Sequence, residues 1–247
     1  MPKSASPKRR LDALLVERGL AKDVAHAAAL ILAGRILVNE RKVDKAGTAV
    51  TSDAALRILG DAKKYVSRGG TKLAHGLDTF GLEVSGKIAL DVGASTGGFT
   101  DCLLQAGAAK VYAVDVGYGQ LAEKLRTDPR VVNLERTNIR EVPKGAIPEP
   151  VDLVVIDASF ISLQLVLPPA LSFLRRGGDV IALVKPQFEA DRAAVEPGGV
   201  VRAAETHEQV LNGIRHFIRG LGREVKGLTP SPITGQKKGN VEFLLWA

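Results

Sequence analysis

The sequence predicts an α/β fold with a seven-stranded, mostly parallel sheet, preceded by a small α+β domain. From residue 87 onward, apolar strands alternate with helical patterns, which is typical of a parallel sheet wound by helices on both faces. The last two predicted strands are joined by a polar segment that contains Pro230 and Pro232 and is too broken for a helix. These two strands are therefore expected to be antiparallel neighbours.

The first 60 residues are predicted to fold as a separate unit with two helices and short strands. Gly19 and Gly34 are expected to terminate the helices, and Asp23 can cap the second one. Residues 1–8 are rich in Lys, Ser and Pro and are expected to form a disordered tail. The predicted elements are a helix over 9–18, a helix over 24–33, strands over 36–38 and around Val43, and an apolar stretch over 54–59.

The rest of the chain is predicted to be one larger domain. The expected boundaries are a small domain over 9–60, a linker over 61–70 and a large domain over 71–247, which opens with a helix over 72–80. Its predicted strands are 87–92, 110–115, 131–135, 151–157, 179–184, 223–228 and 240–246, and its predicted helices are 98–106, 119–127, 163–175 and 203–221.

A glycine-rich turn follows the first strand of the large domain. Residues 91–100 read D-V-G-A-S-T-G-G-F-T and lead into a helix. Glycines let a ligand approach the backbone, and a helix N-terminus offers unpaired N–H groups. Asp115 ends the second strand, where nucleotide-binding sheets hold ribose hydroxyls. The spacing G-x-x-x-G-G departs from the dinucleotide fingerprint G-x-G-x-x-G, and a tight turn without a ligand is the alternative.

Charged residues stand at the ends of two further apolar strands. Asp157 closes one and Lys185 closes the other, at the sheet edge where ligands bind. Glu242 lies in the last predicted strand on the face shared with Leu244, and Lys72 begins the helix before the sheet. Each residue also has a structural alternative, because a carboxylate can cap a turn and a lysine can extend its amine to solvent.

Two lysines and two carboxylates at this edge would suit methylation of a ribose 2′-hydroxyl. That hydroxyl holds its proton at neutral pH, so the proton must be removed near the transition state. A desolvated lysine can accept it, while the carboxylates and the second lysine orient the amine and balance its charge. No cysteine is needed, and Cys102, the only cysteine, is expected to lie in the core.

Six runs of residues closely resemble the TlyA family, which belongs to the FtsJ-like ribose 2′-O-methyltransferases. The runs are 68–73, 91–100, 114–121, 156–163, 185–189 and 239–244, and the resemblance covers nearly the whole chain. It implies a Rossmann-like methyltransferase fold. It maps the family's K-D-K-E tetrad onto Lys72, Asp157, Lys185 and Glu242. Because Lys185 follows a buried strand, we expect it to be the general base or at least the residue closest to the 2′-hydroxyl.

The resemblance also implies a cofactor and a substrate class. The family uses S-adenosylmethionine, methylates cytidine riboses in ribosomal RNA of one or both subunits, and is often labelled haemolysin. Ribosomal RNA or ribosomal subunits are therefore the expected partners. The cofactor-binding residues expected from the turn, the second strand end and the resemblance are Asp91, Gly93, Ala94, Ser95, Gly97, Gly98, Phe99, Asp115, Val116 and Asn138.

The small domain looks like the ribosomal S4-type RNA-binding domain, from residues 10–12 through 34–39. Glu40 stands where such domains often have glycine, which leaves the form of the hairpin turn open. Basic residues at one helix start and on this hairpin would contact phosphates, with a solvated basic surface as the alternative. No aromatic stacking pair is evident here, which favours recognition of RNA shape. The predicted RNA-binding residues are Arg9, Arg10, Arg35, Arg41, Lys42 and Arg68.

Composition narrows the classes of protein that fit. The chain has 34 basic and 27 acidic residues, and its net charge of +7 favours a polyanionic partner. A single cysteine excludes an intrachain disulfide, and the four scattered histidines indicate no metal site. No apolar run approaches the roughly 18 residues that span a bilayer. A cytoplasmic protein is expected, with the monomer as the favoured state.

Three alternatives stay open beside an RNA methyltransferase. A nucleotide-dependent oxidoreductase is disfavoured by the glycine spacing and by the lack of a catalytic tyrosine or histidine near a strand end. A haemolysin or other membrane-active protein conflicts with the lack of a spanning segment or a strongly hydrophobic amphipathic helix. An RNA-binding module with a non-catalytic methyltransferase domain is disfavoured by the complete tetrad.

Overall fold

The computed structural model describes residues 7–59, 64–235 and 239–247. The chain divides into two compact units, Met1–Lys63 and Lys64–Ala247. Residues 1–6 of the expected tail and 61–63 of the expected linker lie outside the described residues. Lys8 was predicted to belong to the disordered tail, but it is paired with Thr51 in a short antiparallel ladder.

In the first unit, two helices pack on short strands around a small core. The expected helix over 9–18 starts only at Leu11, because Arg9 and Arg10 pair with the strand that contains Val50. Asp23 caps the second helix by accepting the backbone N–H of His26, as expected. The elements are β1 (Lys8–Arg10), α1 (Leu11–Glu17), α2 (Val24–Leu32), β2 (Ile36–Val38), β3 (Arg41–Val43), β4 (Ala49–Thr51) and β5 (Leu56–Ile58).

The hairpin between β2 and β3 closes with a two-residue turn. Val38 pairs directly with Arg41, and the turn residues Asn39 and Glu40 have φ values of 48° and 61°. This turn type needs left-handed backbone at both positions, which glycine adopts without strain. Glu40 is held there by an ion pair with Arg57 at 2.5 Å. The departure from glycine is thus accommodated within a regular hairpin.

In the second unit, the described residues form a seven-stranded sheet of order β11-β12-β10-β9-β6-β7-β8. β12 is antiparallel to both of its neighbours, and the remaining pairs are parallel. The predicted fold class is therefore confirmed, including the antiparallel pairing of the last two strands. The strands are β6 (Ile88–Val92), β7 (Lys110–Val114), β8 (Val131–Leu134), β9 (Val151–Ile156), β10 (Leu174–Val184), β11 (Gly227–Pro230) and β12 (Phe243–Trp246).

Several element boundaries differ from the predicted ones. The first helix of this unit begins at Arg68 instead of Lys72, because Ser67 caps it by accepting the backbone N–H of Gly69. The expected helix over 163–175 ends at Leu171, since the chain enters β10 at Leu174 beside Val151. The helices are α3 (Arg68–Phe80), α4 (Gly98–Gln105), α5 (Glu123–Arg126), α6 (Leu163–Leu171), α7 (Pro186–Glu189) and α8 (Ala204–Gly220).

The sheet is covered by a buried apolar layer on each face. Alternate residues of one strand belong to opposite layers, as Leu153 and Val154 do in β9. Leu244 of β12 lies in the layer that α3 covers. Glu242 comes two residues earlier and just outside β12, and it faces the same way, toward Lys72 of α3. The predicted strand over 240–246 is thus shorter, but the predicted face of Glu242 is right.

Candidate active site

A cleft of about 570 Å³ opens at the carboxyl ends of β6, β9 and β10. Parallel strands end at the same edge of a sheet, so the residues that follow these strands converge there. All four residues of the predicted tetrad line this cleft, together with half of the predicted cofactor-binding set. The predicted residues in its lining are Lys72, Gly93, Ala94, Ser95, Gly98, Phe99, Asp157, Lys185 and Glu242.

The tetrad forms two ion pairs. Lys185 Nζ lies 2.6 Å from Asp157 Oδ1, and the two side chains are 8% and 22% exposed. Lys72 Nζ is paired with Glu242 Oε2, and these side chains are 10% and 4% exposed. Each buried amine therefore has a carboxylate beside it that offsets the cost of removing its charge from water.

The glycines of the turn serve close packing around the cleft. A Cβ on Gly93 would lie 2.8 Å from the backbone oxygen of Asp157, so the turn after β6 abuts the end of β9. A Cβ on Gly98 would lie 2.9 Å from the backbone nitrogen of Gly70, so α4 lies against α3. Gly97 has a φ of 92° and does not line the cleft, because the side chain of Leu125 fills the space beside it. Its expected cofactor contact is therefore not part of the cleft surface.

Asp91 lies behind the turn, fully buried, and does not line the cleft. Its Oδ2 accepts a hydrogen bond from Thr100 Oγ1 at 2.6 Å, whereas its Oδ1 accepts none from the described residues. Burial raises the pKa of Asp91 to about 7, and the hydrogen bond from Thr100 opposes that shift. Because Asp91 Oδ1 has no hydrogen-bond partner among the described residues, it is suited to accept a hydrogen bond from a positively charged or neutral donor near the turn.

Three further predicted residues lie beside the cleft but outside its lining. Asp115 follows β7 and accepts the backbone N–H of Ser95 at 2.8 Å and that of Gly117 at 2.7 Å. It thereby holds the glycine-rich turn from the neighbouring strand end. Val116 is 72% exposed, and the Asn138 side chain caps a short 3-10 turn over 139–141. Asp115, Val116 and Asn138 thus belong to the ends of β7 and β8.

Residues 65–247 match the family of FtsJ-like methyltransferases, and residues 9–56 match the S4 domain. The first match spans the unit that contains the cleft. The chain belongs to the FtsJ-like methyltransferase family. Its N-terminal unit carries an S4 domain.

Similar proteins have names of two kinds. A Bacillus subtilis protein named "Putative rRNA methyltransferase YqxC" is 51% identical over 245 residues, which are 97% of this chain and 85% of that protein. The Mycobacterium tuberculosis "16S/23S rRNA (cytidine-2'-O)-methyltransferase TlyA" is 47% identical over 240 residues, with 97% and 89% covered. A solved structure named "Putative hemolysin from Streptococcus thermophilus" has a TM-score of 0.74 and 44% identity and covers 98% of this chain and 88% of its own.

Other residues line the cleft of this methyltransferase without having been assigned to it from the sequence. Ser159 and Phe160 follow β9, and Gln187 and Phe188 follow Lys185. Phe160 has a left-handed φ of 64°, is 83% exposed and packs against Phe188 with ring centroids 5.2 Å apart. All four come within four residues of a strand end, and this position is the signal that could have identified them.

Asn240 is a further residue of the lining, and it is 4% exposed. Its Oδ1 accepts the backbone N–H of Val201 at 3.0 Å, and its Nδ2 donates to the backbone oxygen of Gly199 at 2.8 Å. One side chain thus fastens the segment that contains Gly198 and Gly199 beside Glu242. No periodic pattern in the sequence signals this contact.

The predicted RNA-binding residues differ in their surroundings. Arg9, Arg41 and Lys42 are exposed on short strands. Arg10 is exposed too but is paired with the buried Asp12 at 2.6 Å. Arg35 is partly buried, and its Nε donates to the backbone oxygen of Leu59 at 3.2 Å. This interaction favours a structural role for Arg35.

Arg68 belongs to the methyltransferase unit, at the first position of α3. It is exposed and donates a hydrogen bond to the backbone oxygen of Thr234 at 2.5 Å. Its neighbours Ser67 and Gly69 line the cleft. Arg68 therefore stands at the rim of the cleft, where it holds the chain that follows β11.

Two findings bear on other classes of protein. Cys102 is 2% exposed, as expected for a core residue, and burial raises the pKa of its thiol to about 11, which disfavours a reactive thiolate. In the part of the chain that the structure describes, no helix combines the length and the apolar character needed to cross a membrane.

Proposed function

We propose that this protein methylates the ribose 2′-hydroxyl of cytidine in ribosomal RNA, with S-adenosylmethionine as methyl donor. The observation that carries the proposal is the cleft in which two lysine–carboxylate pairs lie beside a glycine-rich turn. The relative named a 16S/23S rRNA (cytidine-2'-O)-methyltransferase, 47% identical over 97% of this chain, supports the substrate. The S4 domain supports binding to RNA.

The residues around the turn fit S-adenosylmethionine. Bound there, this group supplies an activated methyl on a positively charged sulfur. Asp91 does not reach the surface of the cleft, so it would act on the ligand's ammonium group from behind the turn, where one of its carboxyl oxygens has no partner among the described residues. Asp115 retains unused acceptor positions on oxygens that already hold the turn, which suits ribose hydroxyls. Gly93 and Gly98 bring the backbone of the turn to the surface of the cleft.

Lys185 is the residue that would accept the proton of the 2′-hydroxyl. Its amine lies at the end of β10, in the cleft, with little exposure to water. The Asp157 carboxylate lies beside it and stabilises the ammonium that forms when the proton arrives. The Lys72–Glu242 pair completes the wall of the cleft and keeps its net charge balanced.

Transfer of labelled methyl groups tests the function. Purified protein, labelled S-adenosylmethionine and either naked ribosomal RNA or isolated subunits should yield RNA in which one or more cytidines resist alkaline hydrolysis, because hydrolysis needs a free 2′-hydroxyl. A 2′-deoxycytidine at the mapped position is the control and should abolish labelling. Label on a base would contradict the proposed position. Tight binding of RNA and cofactor without transfer would favour the binding-only alternative.

Replacing Asp115 with alanine is expected to weaken S-adenosylmethionine binding by roughly tenfold to a hundredfold. A hydrogen bond to a charged group contributes about 1.5–3 kcal/mol, and the variant also releases the backbone N–H of Ser95 in the turn. Calorimetric titration measures the affinity. Asp128→Ala is the matched control. Asp128 accepts the backbone N–H of Arg130 just before β8, at the amino ends of the strands, whereas Asp115 lies at their carboxyl ends. Equal affinity in a folded Asp115→Ala variant would exclude Asp115 from the cofactor site.

Reversing the charge of Arg41 and Lys42 is expected to weaken RNA binding by about tenfold or more. Loss of two phosphate contacts should also reduce the slope of log affinity against log salt by about two. Filter binding over a range of salt concentrations gives both values. The matched control is Arg176→Glu with Arg219→Glu, two exposed residues of the methyltransferase unit outside the predicted RNA set. Equal losses of RNA affinity in both variants would mean that RNA binding depends only on the net charge of the protein.

We also propose a cellular location and an oligomeric state for this protein. Ribosomal RNA as substrate favours a cytoplasmic location, and one chain holds the whole cleft, which favours action as a monomer. Sedimentation of the active protein, free and with RNA, tests the second point: a dimer that alone carries activity would contradict it.

A further inference from the structure

We infer that Ser159 is a positioning residue for methyl transfer, whose hydroxyl sets the direction of the Lys185 amine. This inference rests on the proposed function and adds to it a residue outside the tetrad. Ser159 lines the cleft and follows Asp157 by two positions. It is exposed at the mouth of the cleft, where the RNA would cover it.

The amine of Lys185 makes two contacts of different kinds, one held by charge and one that is a directional hydrogen bond. Its Nζ lies 2.6 Å from Asp157 Oδ1, yet this oxygen accepts no hydrogen bond from the described residues, so the pair is held by charge. By contrast, Nζ donates a hydrogen bond to Ser159 Oγ at 2.8 Å. Hydrogen bonds depend steeply on angle, whereas attraction between charges does not. The directional contact of the amine is therefore the one with Ser159.

Direction matters for a base of this kind. A neutral lysine amine has two N–H bonds and one lone pair, and only the lone pair can accept the 2′-hydroxyl proton. The amine rotates freely at the end of a flexible four-carbon stem. Once the amine is neutral, the charge attraction to Asp157 is lost, and the hydrogen bond that one N–H donates to Ser159 restricts this rotation. The lone pair can then be kept toward the cleft, and alignment of this kind lowers the barrier to transfer.

The position of Ser159 is built into the protein before any substrate arrives. The loop over 158–162 is fastened to the segment after Lys185 by one carboxylate, that of Glu189. Glu189 Oε2 accepts the hydroxyl of Ser162 at 2.7 Å, and its Oε1 accepts the backbone N–H of Leu163 at 2.7 Å. The residue that carries the hydroxyl and the residue that carries the amine are thus held in one unit.

Single-turnover methyl transfer at saturating enzyme and cofactor tests this role. Ser159→Ala should slow the step by roughly tenfold to a hundredfold, since a misplacement of about 1 Å can cost on the order of a hundredfold in rate. The affinities for S-adenosylmethionine and RNA should stay within about twofold of wild type. Ser159→Thr keeps a hydroxyl and should recover most of the rate. Ser172→Ala is the matched control: it removes an exposed hydroxyl that donates to the backbone oxygen of Pro169 outside the cleft lining, and it should leave the rate unchanged.

A double variant separates positioning from a general effect on the loop. If Ser159 acts through Lys185, then Ser159→Ala should slow transfer no further when Lys185 is already alanine. An equal loss in both backgrounds, a wild-type rate in Ser159→Ala, or weakened RNA binding at an unchanged rate would each overturn the inference. If the wild-type protein itself transfers no methyl group to RNA, the proposed function fails and this inference fails with it.

Discussion

Lys185→Ala is expected to slow methyl transfer by roughly a hundredfold or more, the usual scale for a positioned base. The amine stands at the end of β10 with only 8% of its side chain exposed, beside Asp157. The second amine of the cleft, that of Lys72, is paired with Glu242 and not with Asp157. S-adenosylmethionine affinity should hardly change, because Lys185 acts on the proton of the RNA hydroxyl.

Lys185→Arg separates a proton acceptor from a positive charge. Arginine keeps its proton at any working pH, so it can replace the charge but not the base. The rate of Lys185→Arg in single-turnover reactions should therefore be close to that of Lys185→Ala. Lys226→Ala is the control, since Lys226 forms an ion pair with Asp179 outside the cleft lining and should transfer normally. A near-normal rate for Lys185→Arg would assign Lys185 a purely electrostatic role.

Lys72→Met is expected to destabilise the methyltransferase unit by roughly 3–5 kcal/mol, because it leaves a buried charge without its partner. The partner is Glu242, whose side chain is 4% exposed. Replacing both residues, as Lys72→Met with Glu242→Leu, should restore most of that stability, since apolar side chains can fill the same space. The double variant should nevertheless stay slow in methyl transfer. The double variant would thus regain stability without regaining the rate of methyl transfer.

Denaturant unfolding followed by tryptophan fluorescence measures this effect. Trp246 is the only tryptophan and lies in β12, stacked on Phe80, so its signal reports on the methyltransferase unit. Arg202→Met is the control for an exposed pair of the same unit, with Glu196, and should cost less than about 1 kcal/mol. A loss that small in Lys72→Met would mean that water screens Glu242 in solution.

Local sequence patterns were enough to predict the layers of this protein and the edge of the sheet that carries the cleft. Alternating apolar strands and helical patterns implied the parallel sheet, and strands of a parallel sheet end at one edge, so Asp157 and Lys185 had to be neighbours of the glycine-rich turn. These are local signals combined with one rule of topology. The polar, proline-broken segment before the last strand likewise implied its antiparallel direction.

Which distant side chains lie in contact depends on how the folded elements pack together. Lys72 and Glu242 are 170 positions apart, and their pairing depends on how α3 packs against β12. Gly97 proved to face Leu125 and not the cleft. The strand at Lys8 exists only because β4 lies beside it. Periodicity shows which face of an element is buried, but it does not show which distant residue covers that face. That choice is made by packing, loop conformation and the directions of single hydrogen bonds, as between Lys185 and Ser159.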